Sequence, residues 1–327
     1  MLIAKFLRKN SPFALCSSLI LLTSSVFANP AHPADPTSTT SSTSHSELAS
    51  QEKNKHASIT IFAAGDIADC KKKTASETMA AQTAKIIANG LAKNSDAYAL
   101  TLGDNTYPIG KFEEFTDCYG PTWGQFKDRT FPSPGNHDYG VPLAAGYFNY
   151  FDAAAGPDRR GYYSKSLGQW RLLSLNSNLS GDAMRKQVEW LKEELQTHKA
   201  ACTLAYWHHP VFSTGGHGNN PVMKEIWSLL NQANADLVLS GHDHHYERFT
   251  PLTAAGEIDE KNGIRSFVVG TGGASLSPMF LPKNITEFRS NEVFGVLKLQ
   301  LREHDYDWEF IPVSGQSLVD KGHGSCH

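Results

Sequence analysis

The chain has 327 residues, 40% of them apolar and 19% charged, with 30 Lys and Arg against 33 Asp and Glu for a net charge of −3. That apolar share supports a folded core and excludes global disorder, and the near balance of charge argues against a polyanion binder acting through bulk positive potential. No apolar run long enough to span a bilayer follows the N-terminus, which excludes a multispanning membrane protein.

Lys5, Arg8 and Lys9 open the chain, followed by a short apolar stretch from Phe13 to Leu22 and then Ser24-Ser25-Val26-Phe27-Ala28. This order of regions predicts a signal peptide over 1–28, cleaved after Ala28 for export to the periplasm or medium. The apolar run is too short to anchor comfortably in a membrane. Residues 29–56 are rich in Ser, Thr and Pro, with almost nothing to bury, and read as a flexible linker. The folded domain is expected over 57–327.

Cleavage would remove Cys16 and leave Cys70, Cys118, Cys202 and Cys326, an even set in a compartment where disulfides persist. Three pairings are possible. Cys70 and Cys118 both sit shortly after motif-bearing strands, which favours Cys70–Cys118 with Cys202–Cys326.

From Ser58 to Ala64 a β-rich apolar run ends in Gly65-Asp66. Residues 75–93 read as a helix, with Thr74 or Ser76 as N-cap. A second strand, Ala97 to Leu102, again ends in Gly-Asp, and Phe131 to Pro134 leads into Gly135-Asn136-His137-Asp138. Tyr162 to Ser174 reads as a hairpin turning at Leu167-Gly168. The segment 182–198 reads as an amphipathic helix with Met184, Val188, Leu191 and Leu195 on one face. Cys202 to Trp207 is a strand running into His208-His209-Pro210. A helix near 221–233 precedes the strand Asp236 to Leu239, which runs into Gly241-His242-Asp243-His244. Apolar alternations at 265–270, 293–301 and 305–312 suggest an accompanying sheet.

Five strands thus deliver carboxylate, amide, phenol or imidazole side chains at their ends. Open α/β sheets bind ligands at the carboxyl ends of their strands. Taken singly, a Gly-Asp pair is usually a turn and one of the 14 His is usually structural. Jointly, two carboxylates, an amide oxygen, a phenol and three imidazoles exceed what one zinc-type site takes, and fit two metals sharing a carboxylate.

The ordered blocks GDIA (65–68), GDNTY (103–107), GNHD (135–138), His208 in YWHHP and GHDH (241–244) resemble those of the calcineurin-like metallophosphoesterase superfamily. Within it the likeness is greatest to purple acid phosphatases, and it runs from about 58 to 312. Most members carry a metal-binding His where this chain has Ala68. Purple acid phosphatases also lack that His and use the Tyr of GDxxY, here Tyr107. The resemblance implies an α/β fold, a four-layer αββα sandwich with two mixed central sheets. It implies a first metal held by Asp66, Asp104, Tyr107 and His244, and a second held by Asp104, Asn136, His208 and His242. The donors suit Fe at the first site and Zn, Mn or Fe at the second.

By the same resemblance His137 donates a proton to the leaving group or steadies the phosphate, and His217, nine residues beyond His208, contacts substrate. His209 and His245 are left out of the candidate set, as residues that support the ligands or serve the structure. The implied reaction is hydrolysis of small phosphomonoesters by direct attack of a metal-bound hydroxide. No GxSxG-like elbow offers a protein nucleophile. A phosphodiesterase or nucleotidase is the alternative, since the same metals can cleave either ester and the aromatics in loops 108–130 and 140–160 (Phe112, Phe115, Tyr119, Trp123, Tyr147, Tyr150) offer surfaces on which a base could stack. A catalytically silent binding module is the third reading, and retention of every expected ligand counts against it. The expected partners are small phosphorylated substrates, with no nucleic acid and no stable membrane association after cleavage.

Overall fold

A computed structural model describes residues 58–327. The expected signal peptide, the linker over 29–56 and Cys16 lie outside the described residues.

The strands are β1 Ile59–Ala64, β2 Ala97–Thr101, β3 Thr130–Phe131, β4 Tyr163–Leu167, β5 Trp170–Ser174, β6 Cys202–Tyr206 and β7 Leu237–Ser240. They continue with β8 Tyr246–Phe249, β9 Arg265–Val269, β10 Thr286–Ser290, β11 Gly295–Leu301, β12 Asp305–Pro312 and β13 Lys321–Ser325. The longer helices are α1 Met79–Lys93, α2 Ala145–Phe151, α3 Gly181–Thr197 and α4 Lys224–Gln232.

Two mixed sheets result, ordered β13-β12-β11-β1-β2-β3 and β10-β8-β9-β7-β6-β5-β4. In the first, β1, β2 and β3 run parallel, and in the second β5, β6, β7 and β9 do. Alternating residues explain the layering. Leu172, Leu204, Leu237, Leu239, Phe267 and Val269 face the core shared with the first sheet. Their neighbours Leu173, Ala205, Val238 and Val268 face outward onto Val188 and Leu191 of α3 and Ile226, Trp227 and Leu230 of α4. Strands buried on both faces read as unbroken apolar runs, as these do. On the far side α1 buries Ala80, Ala84, Ile87 and Leu91 against the first sheet. The expected four-layer αββα arrangement is therefore present.

Helix α1 begins later than expected. Thr78 is its N-cap, accepting from the Ala81 N–H at 3.2 Å, while Thr74 caps a separate 3-10 turn at Ala75–Glu77. Disulfides join Cys70 to Cys118 and Cys202 to Cys326, the favoured pairing. Cys326 follows β13, so the second bridge ties the edge of one sheet to the start of β6 in the other. No helix among the described residues is long and apolar enough to cross a membrane.

Candidate metal centre

Parallel strands bring their carboxyl ends to one side, and each candidate donor sits in the turn just beyond. β1 leads to Asp66, β2 to Asp104 and Tyr107, β3 to Asn136, β6 to His208, and β7 to His242 and His244. Asp66, Asp104 and His242 hold left-handed φ values of 61°, 48° and 71°. Such non-glycine conformations cost about 1–3 kcal/mol each and persist only where the surroundings impose them. Here Asp66 N donates to Gly103 O at 3.0 Å, Ile67 N to Asp104 O at 2.9 Å, and His242 N to Asp66 Oδ2 at 2.8 Å.

The donor atoms converge in two sets. In the first, the Tyr107 hydroxyl lies 3.1 Å from Asp66 Oδ1, 3.2 Å from Asp104 Oδ2 and 3.2 Å from His244 Nε2. His244 Nε2 is 3.2 Å from Asp66 Oδ1. In the second, His208 Nε2 lies 3.0 Å from Asn136 Oδ1, 3.3 Å from Asp104 Oδ2 and 3.2 Å from His242 Nδ1. Asp104 Oδ2 belongs to both. Ligands about 2.0–2.2 Å from one ion stand about 3.0–3.5 Å from each other, so both sets have the spacing of a coordination shell.

Imidazole orientation is set from outside. His208 Nδ1 donates to Leu102 O at 2.8 Å, and His244 Nδ1 donates to Ser275 O, so each turns Nε2 inward. Burial alone would raise the Asp104 carboxyl, but the His208 imidazolium and, less strongly, His137 hold it well below the usual range. Burial would lower His208, yet Asp104 pushes it up to about 9. Against the same burial, Asp66 pushes His244 up to about 9. Burial, with His208 next, lowers His242 to about 2, leaving it neutral. Burial followed by the charges of Asp66 and Asp104 drives the Tyr107 phenol upward.

His137 stands beside these sets. Its N–H donates to Asp104 Oδ1 at 2.8 Å, its Nδ1 donates to Pro108 O at 2.6 Å, and its Nε2 is 3.9 Å from Asp104 Oδ2. The His217 ring lies 4.3 Å from that of His242. All nine candidate residues are therefore brought together, and Ala68 is fully buried behind them.

Three contributors were not singled out in the sequence. Asp138 is buried and accepts from Gly135 N at 2.8 Å and Asn105 Nδ2 at 2.9 Å, clamping the GDNTY and GNHD turns together. Asp243 is buried and bonds His217. His209, left out of the candidate set as a supporting or structural residue, has its ring 4.4 Å from His242 and is held by Ser177 Oγ at 2.8 Å. The only local signal for the two acids was their position inside motif blocks.

The aromatic loops correct an expectation. Phe115, Tyr119, Trp123 and Tyr147 are fully buried in the core with Phe151, and the Tyr150 ring stacks on Phe115 at 5.2 Å. They pack one another and are not free to stack a base. Phe112 alone of those six is exposed.

A family model described as Calcineurin-like phosphoesterase matches residues 52–246. Among curated proteins, an uncharacterized protein of Mycobacterium tuberculosis is 29% identical over 185 residues, covering 44% of this chain and 35% of that one. Purple acid phosphatase 15 of Arabidopsis thaliana is 29% identical over 220 residues, covering 56% of this chain and 41% of its own. The matches thus span little more than a third of those relatives' length. Among solved structures, a purple acid phosphatase from yellow lupin (Lupinus luteus) seeds superposes with a TM-score of 0.65 at 18% identity, covering 83% of this chain and 54% of that one.

Proposed function

The chain belongs to the calcineurin-like phosphoesterase family, and from that premise we propose that it is an exported dinuclear-metal phosphatase acting on small phosphomonoesters. The observation that carries this reading is the pair of converging donor sets sharing Asp104 Oδ2. Asp66, Asp104, Tyr107 and His244 would hold the first metal, and Asp104, Asn136, His208 and His242 the second. A phenolate with two carboxylates suits Fe³⁺, and imidazoles with an amide oxygen suit Zn²⁺, Mn²⁺ or Fe²⁺. Two such ions supply an acidified water, a clamp for phosphate oxygens and neutralisation of developing charge.

The chain's own residues do the rest. His208 and the His137 N–H grip Asp104 from two sides, so the shared carboxylate cannot rotate away. His137, with its outer nitrogen tied to Pro108 O and its side chain 38% exposed, presents Nε2 to steady a phosphate oxygen beside Asp104. His217 contacts the substrate from the opposite side. Burial of Phe115, Tyr119, Trp123 and Tyr147 leaves Phe112 as the one exposed aromatic of that set, which weakens the ground for a nucleobase clamp and with it the nucleotidase alternative. A phosphate-release panel of monoesters, diesters and nucleotides with defined metals tests the reading. Monoesters should lead, and a diester turned over faster than every monoester would replace it.

Metal uptake should depend on pH. His208 and His244, with pKa values raised from 6.5 to about 9, hold a proton across that window in the metal-free protein. A metal must displace both protons, so Zn²⁺ titration between pH 6.5 and 8 should release protons, with affinity rising towards pH 9. Affinity that stays flat over this range contradicts the protonated starting state.

Tyr107 separates a purple acid phosphatase from a two-site enzyme of other chemistry. A phenolate on Fe³⁺ absorbs in the visible, so iron-loaded oxidised protein should be coloured. Tyr107→Phe keeps the ring and removes the donor, and should abolish the colour while His208 and His242 still hold the second metal. A colourless iron-loaded wild type would assign Tyr107 to packing.

Two disulfides support an oxidising compartment for the domain. Export with removal of residues 1–28 predicts Asn29 as the mature N-terminus, which N-terminal sequencing reads. A retained Met1 in the exported material would overturn this.

A further inference from the structure

The GHDH block places Asp243 between two candidate ligands, yet its carboxylate joins neither donor set. It is fully buried and points into the loop over 213–219. Oδ1 accepts the His217 backbone N–H at 2.8 Å and the His217 Nδ1–H at 3.0 Å. Oδ2 accepts the Ser213 hydroxyl, and Ser213 Oγ in turn accepts Gly215 N–H at 2.9 Å. Gly215 lies so close that a Cβ there would sit 2.3 Å from Asp243 Cγ. A loop rich in glycine and left 55% exposed at the His217 side chain is therefore wrapped around one buried carboxylate.

We propose that Asp243 is a positioning residue that turns His217 so that its Nε2 faces the leaving oxygen of the substrate. The idea rests on the phosphatase reading above. Ring geometry supports it. With Nδ1–H bound to Asp243, the ring is held in one orientation and Nε2 occupies its opposite edge. Packing against His242 at 4.3 Å blocks rotation on one face and keeps the ring beside the second donor set. Without Asp243 the imidazole would sample many rotamers, and the probability of a productive alignment would fall.

The step balances. Water forms the new bond to phosphorus and gives up a proton. The bond from phosphorus to the alcohol oxygen breaks with its electron pair on oxygen, which takes the Nε2 proton of a His217 that enters the step as an imidazolium. The proton from water restores His217, and an alcohol and phosphate leave. A poor leaving group such as an alkoxide needs that proton, whereas 4-nitrophenolate does not.

Leaving-group dependence tests this on the full mature chain. In Asp243→Ala, kcat for an alkyl phosphate should fall about 10²-fold relative to kcat for 4-nitrophenyl phosphate. Metal content should match wild type, and KM should change little. His217→Ala should show the same pattern, and adding Asp243→Ala to it should cost nothing more. Asp243→Asn, which keeps an acceptor for Nδ1–H, should recover most of the loss. Equal losses on both substrates, a rise in KM alone, or losses that multiply in the double variant would overturn the proposal and leave Asp243 a loop staple. Should Asp243→Ala not fold, Ser213→Ala frees Oδ2 and should give a smaller loss of the same kind, while a uniform loss would count against the idea. A wild type that hydrolyses neither ester fails the phosphatase reading instead.

Discussion

Asp104→Ala should empty both metal positions at once and bring phosphate release to background. One carboxylate oxygen, Oδ2, stands 3.2 Å from the Tyr107 hydroxyl and 3.3 Å from His208 Nε2, so both donor sets lose a member together. The losses reach further than the ligands. Asp104 is the main charge holding a proton on His208, and Oδ1 anchors the His137 N–H at 2.8 Å. Metal analysis by mass spectrometry beside a phosphate assay reads both effects. His137→Ala is the contrast: its side chain stands beside Asp104 and Tyr107 without belonging to either donor set, so the variant should keep both metals and lower kcat by about 10²–10³-fold, as loss of one oxyanion contact does. A metal-replete, active Asp104→Ala protein would mean that the shared carboxylate is misassigned.

Gly135→Ala should damage the centre without removing any ligand. A Cβ at 135 would lie 2.2 Å from both the backbone N and Oδ1 of Asp104. A clash with backbone has no rotamer solution, so either the GNHD turn or the Asp104 turn must move. The Gly135 N–H also donates to Asp138 Oδ2 at 2.8 Å, the clamp between these two turns. A displacement of about 1 Å at a reacting centre can cost about 10²-fold in rate, and overpacking adds about 1–3 kcal/mol of destabilisation. Metal content should fall at both positions, visible together with a lowered melting temperature. Gly216→Ala is the control, because the nearest atom to its Cβ is Pro278 O at an ordinary 3.5 Å. Wild-type metal content and kcat in Gly135→Ala would refute the close approach of the two turns.

Such tightness explains why the motif glycines and the acids within the motifs matter beyond composition. Gly103 has φ 85°, and a Cβ there would meet the His208 ring at 2.5 Å. The glycine before Asp104 is thus where the candidate ligand His208 fits against bare backbone, while the one before Asp66 leaves room for the Leu102 carbonyl.

Much of the centre was readable because its signals are local. β1, β2, β6 and β7 are short apolar runs, each ended by a turn carrying polar side chains, and these strands formed within a residue or two of expectation. Ala68 with Tyr107 likewise pointed to an altered first donor set through the resemblance to purple acid phosphatases. Three strands were not readable. β8 and β10 carry mixed polar residues (YERF and TEFRS), and β13 reads KGHGS, which by composition is loop. In β13 the glycines exist because Trp308 and Tyr306 lie across them: Gly322 pairs with Trp308 and Gly324 with Tyr306, and a Cβ would meet those rings at 2.3 and 2.4 Å.

The sequence by itself determined which side chains stand at the ends of strands, because apolar runs, turn residues and their order are written in consecutive positions. Tertiary structure alone decided what those side chains face. Phe115, Tyr119, Trp123 and Tyr147, which a linear reading offers as a base-stacking set, turn inward because together they fill the core beside α2, whereas Phe112 stays exposed. Asp243, flanked by two candidate ligands in the chain, turns its carboxylate to the His217 loop instead, because the left-handed turn at His242 and the close approach of Gly215 direct it there. Side-chain direction depends on backbone dihedrals and on neighbours distant in sequence, and neither is encoded in residue type or spacing.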